Sequence, residues 1–290
     1  MTTKPFAGVE LGGTKCVAIL AHGPDAILAR ETVPTTSPAD TIGALAKILR
    51  GWAGEHQPQA LGIASFGPLD LAAGRMTSTP KPGWEGAEIL RPLRDAAGVP
   101  TAIDTDVNGA ALAEMRWGSG SGMDDFAYIT VGTGVGAGLI VNGCPTRGFA
   151  HSELGHVRVA RLAGDEFPGT CPYHGDCVEG LAAGPSIEAR AEERDLAHIA
   201  GDDPMWSSAA YALAQLCHFI VCAAAPQAIA IGGGVAARQP HLLSRVEVML
   251  TDSLAGYLEL PGGGPYIRAP ELGDNAGPLG AIALAMDLRP

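Results

Sequence analysis

Residues 151–184 hold the densest group of side chains able to do chemistry. Within them Cys171, His174 and Cys177 recur every third position, and His156 lies 15 residues before Cys171. Zn²⁺ takes four tetrahedral nitrogen or sulfur ligands, and a Cys-x2-His-x2-Cys knuckle with a distant His supplies a closed Cys2His2 set. A catalytic zinc keeps one position open, so a full set argues for a structural ion. The alternative is an ordinary Gly- and Pro-rich loop. Glu153 and Glu179 are interleaved with these ligands, so carboxylates would be fixed beside the metal.

A second pair of candidates is Asp104 and Asp106, at the end of a predicted strand Val99–Ile103 and just before a helix running to about Trp117. Ligands of open α/β sheets bind beyond the carboxyl ends of strands. One carboxylate is expected to cap the helix and the other to do acid/base chemistry. Gly12-Gly13-Thr14-Lys15 offers backbone N–H groups, a hydroxyl and an ammonium, which suits either a phosphate cradle or a plain hairpin turn. Trp84, in the Pro- and Gly-rich stretch Met76–Trp84, either packs in a core or walls a small polar ligand.

These groups need elements to hold them. Phe6–Leu11 and Cys16–Leu20 read as strands around the first Gly/Thr turn. Phe126–Val131 and the apolar run after Gly132-Thr133-Gly134 repeat that pattern 120 residues later. The repetition implies one strand–turn–strand unit used twice, in two related lobes. Two such turns can grip a polyphosphate. Turns that lead into strands fit a dinucleotide-binding fingerprint poorly, and the GK[ST] of a P-loop is absent. Ser37 is expected to cap a helix with Pro38 in its first turn and an apolar stripe at Ile42, Leu45, Ile48, Leu49 and Trp52. Further helices are expected over Ala87–Ala97, Ser186–His198, Pro204–Ala225, Pro240–Ala255 and Pro278–Leu288. Strands are expected at Leu61–Ser65, Ala228–Ile231 and Tyr266–Ala269.

With 290 residues, 47% hydrophobic and 17% charged, the chain can bury a full core. A net charge of −12 speaks against nucleic acid, whose phosphates need clustered cations. No secretory leader and no apolar run of about 18 residues is evident, so neither export nor a membrane span is expected. Scattered cysteines fit a reducing cytoplasm.

Taken together, Glu10-Leu-Gly-Gly-Thr-Lys15, Lys81-Pro-Gly-Trp84, Asp104-Thr-Asp-Val-Asn108, Gly132-Thr-Gly-Val-Gly-Ala-Gly138, Glu153-Leu-Gly-His156, the knuckle with Glu179, and Gly232-Gly-Gly-Val235 resemble the ROK family of sugar kinases, in its fructokinase branch. The resemblance spans about Gly8 to Gly280. It implies a two-lobed, actin-like α/β ATPase fold with duplicated mixed-sheet lobes, and a sugar with ATP and Mg²⁺ in the cleft. The lobes are expected at 1–114 plus 277–290 and at 115–276. The resemblance makes Asp106 the general base and places Gly67, Asn108, Glu153, His156 and Glu179 at the sugar. Gly13, Thr14, Lys15 and Thr133 fall at the phosphates. Pro185, Gly233, Gly234, Val235, Ala236 and Ala237 fall along the adenine nucleotide. His156, Cys171, His174 and Cys177 fall at a structural Zn²⁺. It implies ATP-dependent phosphorylation of D-fructose at the 6-hydroxyl by a cytoplasmic homodimer. The alternatives are another hexose (mannose, glucose or N-acetylmannosamine) or a sugar-binding regulatory protein. Glu10 stands where many relatives carry Asp, Thr105 where many carry Asn, and His174 where many carry Cys.

Overall fold

The structure is a computed structural model that describes residues 4–288. The chain forms two compact units. The first contains β1 (Phe6–Leu11), β2 (Lys15–Ala21), β3 (Ile27–Pro34), α1 (Pro38–Glu55), β4 (Leu61–Ser65), the short pair β5 (Leu69–Asp70) and β6 (Arg75–Met76), α2 (Leu90–Ala97), β7 (Thr101–Thr105) and α3 (Asp106–Trp117). Then follow β8 (Phe126–Val131), β9 (Val135–Val141), β10 (Cys144–Pro145), α4 (Val178–Ala182), α5 (Gly184–Ala191), α6 (Met205–Ala224), β11 (Ala228–Gly232), α7 (Gly233–Arg238), α8 (His241–Leu254) and β12 (Ile267–Arg268). The last helix, α9 (Ala276–Asp287), returns to the first unit.

The two sheets share one plan. Their strand orders are β3-β2-β1-β4-β7 and β10-β9-β8-β11-β12. In each, the opening hairpin is antiparallel and its first strand pairs in parallel with a later one, β1 with β4 and β8 with β11. The hairpins close at Leu11↔Cys16 and Val131↔Val135, so the second turn is one residue shorter. The repeat read from Phe6 and Phe126 is thus a repeat of topology.

Local signals explain most helix starts. Ser37 Oγ accepts the Asp40 N–H at 3.2 Å, and Ile42, Leu45, Leu49 and Trp52 are buried. Helix α2 begins three residues later than expected. The Met76 N–H donates to the Ala87 carbonyl, Glu88 forms an antiparallel bridge with Arg75, and Gly86 is left-handed at φ 72°. The helix expected over Ser186–His198 stops at Ala191, because Glu192 adopts φ 58° and Asp195 caps a separate 3₁₀ turn. Helix α6 is long and apolar enough to cross a bilayer by length and composition, although polar residues such as Ser207, Gln215 and His218 interrupt it. Its apolar side chains, among them Trp206, Leu213, Leu216 and Ile220, lie buried in the second unit's core.

The unit boundaries differ from the expected ones. The first unit runs to Ser121, takes back Pro145–Ser152 and resumes at Leu272. Two buried carboxylates hold these segments. Glu114, fully buried, accepts the Ser119 N–H at 2.9 Å and the Leu272 N–H at 2.8 Å. Asp104, also fully buried, accepts from Arg147 at 2.6 Å.

Helix α9 lies directly on the first sheet. A Cβ at Gly62 of β4 would overlap the carbonyl oxygen of Ala281, and one at Gly280 would overlap the backbone of Gly109 in α3. Gly62→Ala is therefore expected to destabilise the protein by about 3 kcal/mol through overpacking. Urea unfolding checks this, and an unchanged midpoint would contradict the packing.

Candidate active site and metal centre

In the first unit the Gly12–Lys15 turn is tight. The Gly12 N–H donates to Lys15 O at 3.1 Å, and a Cβ on Gly12 would stand 2.6 Å from that oxygen. Thr35 Oγ1 donates to Gly12 O at 2.7 Å, and Lys81 Nζ to Gly13 O at 2.6 Å. Gly13, Thr14 and Lys15 are exposed at its tip. The Lys81–Trp84 stretch thus braces the turn. Trp84 is fully buried, meets Phe66 edge-on at 5.2 Å and donates through Nε1 to Thr36 O, so it packs and walls no ligand. Phe66 precedes Gly67, and its N–H donates to Leu11 O at 2.9 Å.

Strand β7 delivers the carboxylate pair. Neither caps α3. That duty falls to Thr105, whose Oγ1 accepts the Asn108 N–H at 3.2 Å. A hydroxyl caps as well as a carboxylate does, and Thr105 has the extended backbone that a cap requires. Asp104 is a brace: its Oδ1 accepts from Thr105 N and Asn108 Nδ2, and its Oδ2 from Arg147. Asn108 is 1% exposed, and its Oδ1 is buried without a partner among the described residues. Asp106, the first helical residue, stays partly exposed, and its Oδ1 accepts the Val107 N–H at 2.9 Å. Arg147 and His151, whose Nε2 accepts the Leu69 N–H at 2.8 Å, were not among the expected site residues. Nothing local in the sequence marks them. The signal for Arg147 is indirect: a carboxylate buried at a strand end needs a cation from elsewhere.

Glu10 is the perturbed group of this unit. Burial, and then the charge of Asp106, raise its pKa from the ordinary 4.5 to about 7, against the opposing pull of Lys15 and Arg30. Its carboxylate occupies the space that a Cβ on Gly277 would take, so that glycine makes room for Glu where a shorter Asp would need less. A raised folded-state pKa gives stability that is fully present below about 4.5 and lost as pH rises through about 7. Between pH 5 and pH 8 the nucleotide-free protein should lose about 3 kcal/mol from this source, and Glu10→Gln should not. Denaturant melts of the two proteins at both pH values check this. Parallel losses in both would contradict it.

In the second unit the turn Gly132–Gly134 closes with the Gly132 N–H donating to Gly134 O at 2.9 Å, and Thr133 is exposed at its tip. The Gly184 N–H donates to Gly132 O at 2.7 Å, and a Cβ on Gly184 would lie 3.7 Å from Val235 Cγ2. The expected nucleotide residues Thr133, Pro185 and Val235 therefore come from one small region. Gly233 enters α7 at φ 86°, where a Cβ would stand 2.5 Å from Val131 O. The glycine run thus opens a helix as well as ending a strand. Gly234 and Ala237 are exposed, while Val235 and Ala236 are buried.

The four expected metal ligands converge. All their donor atoms lie within 4.8 Å of one another. Cys171 Sγ is 3.6 Å from His156 Nδ1 and 3.7 Å from His174 Nδ1, and Cys177 Sγ is 3.6 Å from His156 Nδ1. A tetrahedral zinc with Zn–S about 2.3 Å and Zn–N about 2.05 Å has S···N edges of about 3.6 Å, so the donor set fits that ion. Without a cation, burial pushes the Cys177 thiol up to about 11, with Cys171 and Glu179 adding to the rise. Two glycines permit this convergence. A Cβ on Gly155 would overlap Val135 O, and one on Gly180 would overlap Gly175 O. Glu179 follows in α4, where its Oε2 accepts the Val135 N–H at 3.1 Å and its Oε1 lies 4.0 Å from His156 Nδ1. Glu153 O accepts the His156 N–H at 3.0 Å.

The ROK family model matches residues 6–288. The chain is 38% identical over 291 residues to a fructokinase of Lactococcus lactis subsp. cremoris, covering 98% of this chain and 97% of that protein. Among solved structures it resembles a ROK hexokinase from Thermus thermophilus, with TM-score 0.80, 29% identity, and 97% and 98% of the two chains covered. It also resembles a ROK family glucokinase from Streptomyces griseus in complex with glucose and AMPPNP, with TM-score 0.78, 25% identity, and 97% and 99% covered. Two units on one topological plan, a carboxylate pair at a strand end and full-length matches of this kind agree: the chain belongs to the ROK family and has its two-lobed α/β kinase fold.

Proposed function

We propose that this chain is an ATP-dependent fructokinase that transfers the γ-phosphate of ATP to the 6-hydroxyl of D-fructose. The observation that carries this reading is the 38% identity to the Lactococcus fructokinase over nearly the whole of both chains. Phosphoryl transfer asks the protein mainly for positioning and charge stabilisation. Asp106 takes the proton from the attacking hydroxyl, with Asp104 and Arg147 fixing the strand end that presents it. Gly67, Asn108, Glu153, His156 and Glu179 serve the sugar, Asn108 from behind through Asp104. Gly13, Thr14, Lys15 and Thr133 serve the phosphates. Pro185 and Gly233 to Ala237 follow the rest of the nucleotide. Mg²⁺ accompanying ATP neutralises phosphate charge, and Glu10 is the carboxylate that would face it.

His156, Cys171, His174 and Cys177 would hold a Zn²⁺ that orders the loop carrying Glu153 and Glu179. The active form in this reading is a cytoplasmic homodimer. A kinase for another hexose is the second reading, favoured by the likeness to the Streptomyces glucokinase. ADP release measured with fructose, mannose, glucose and N-acetylmannosamine separates the two. Fructose should give the highest kcat/KM. A higher value for glucose would establish the second reading, and no sugar-dependent release would end both.

A further inference from the structure

The chain has four lysines against 31 acidic residues, and two of the four belong to one turn. Lys15 belongs to the first Gly/Thr turn by sequence. Lys81 joins it through its side chain, whose Nζ donates to Gly13 O at 2.6 Å. All of these residues lie in the first unit.

The backbone that presents Lys81 is firmly built. The Trp84 N–H donates to Lys81 O at 3.2 Å, and the Lys81 N–H donates to Thr79 Oγ1 at 3.3 Å. Gly83 completes this bend at φ 78°. The fully buried Trp84 anchors it, against Phe66 and through Nε1 to Thr36 O. An ammonium has three donors and no acceptor. The Lys81 ammonium has Gly13 O as its one hydrogen-bonding partner and makes no ion pair among the described residues. A brace on a carbonyl needs only a neutral donor. A full charge held beside an exposed turn tip, with no carboxylate to neutralise it, suits an arriving phosphate.

That phosphate is the one being transferred. The buried Glu10 carboxylate feels the charges of both Asp106 and Lys15. The base and the first turn therefore lie within electrostatic reach of one group. A hydroxyl deprotonated by Asp106 attacks the phosphoryl group in line, so that group belongs at this turn.

We propose that Lys81 donates to the γ-phosphoryl group of ATP and stabilises its charge during transfer. This rests on the kinase reading above. In that step the sugar oxygen bonds to the γ-phosphorus, and the bond to the β–γ bridging oxygen breaks with its electron pair leaving on ADP. The proton passes to Asp106, and Lys81 keeps its own.

Fructose kinetics and ADP binding by titration calorimetry test this, for wild type, Lys81→Met, Lys81→Gln and Lys81→Arg. Met keeps the apolar stem without the charge, Gln keeps a neutral donor, and Arg keeps a cation. Loss of one charge-stabilising donor costs about 10²–10³-fold in kcat, and the Met and Gln variants should fall by that factor. Lys81→Arg should stay within about tenfold of wild type, since Arg also binds phosphate. ADP lacks the γ-phosphate, so its affinity should be unchanged in all three. Lys81→Met turning over within about threefold of wild type would overturn the proposal. A wild-type rate in Lys81→Gln would also overturn it, because a neutral brace would then suffice. ADP affinity falling in step with kcat would overturn it too, by assigning Lys81 to the shape of the turn. These three outcomes leave the kinase reading standing. Wild-type protein that releases no ADP with any sugar would end that reading, and this inference with it.

Discussion

Asp106→Asn is expected to lower kcat for fructose by about 10²–10⁴-fold, the usual contribution of a positioned general base. The substitution keeps the size of the side chain and an oxygen to accept the Val107 N–H, so α3 should still start at residue 106. ADP affinity and the unfolding midpoint should change little. The neighbouring Asp104 makes a sharp contrast. Its carboxylate is fully buried on three donors, one of them Arg147. Asp104→Ala would leave the buried amide of Asn108 without its acceptor, so its main effect should be on stability, about 2 kcal/mol. Steady-state kinetics and urea melts on both variants separate the roles. Asp106→Asn turning over within about threefold of wild type would remove Asp106 as the base.

The second large effect concerns the metal. Cys171→Ala should lose the bound zinc and raise the KM for fructose while leaving ADP binding in place. The convergence at His156, Cys171, His174 and Cys177 joins segments that are otherwise tied by few backbone bonds, such as Val178 N–H to Val157 O. Binding of structural zinc is on the order of 10 kcal/mol in isolated fingers. Here α4, α5 and α6 also pack in the apolar core of the second unit, so a loss of only about 3 kcal/mol is expected, equivalent to a fall in Tm of about 5 °C. Elemental analysis, melting curves and fructose kinetics check these together. Purified wild type with no zinc, or Cys171→Ala retaining a full equivalent, would contradict the assignment.

Much of this was legible from residue types and spacing. The two hairpins announced themselves because a Gly/Thr turn between apolar strands is a local pattern, and both sheets grew from them on one plan. The four metal donors were legible because three sit in one short loop and their chemistry is unusual. What the sequence hid was long-range. Arg147 reaches Asp104 across 43 positions, and Leu272 reaches Glu114 across 158. Both bonds tie into the first unit segments that the expected boundaries left out of it. The role of Thr105 was hidden for a different reason. Three adjacent residues, Asp104, Thr105 and Asp106, can each cap a helix, and only the backbone conformation at Thr105 decides among them. The glycines of Glu153-Leu-Gly-His156 and Cys177-Val-Glu-Gly180 looked like generic turn residues. The structure gives them a steric reason, the close approach of Val135 O and Gly175 O.

The most direct measurement is the identity of the sugar phosphate formed from ATP and D-fructose by the purified protein. Phosphorus and carbon NMR of the reaction mixture reads it without a coupling enzyme. Fructose 6-phosphate is expected, formed in step with ADP and slowed about 10²–10⁴-fold in Asp106→Asn. Phosphate on another hydroxyl, or ADP formed with no sugar phosphate, would contradict it.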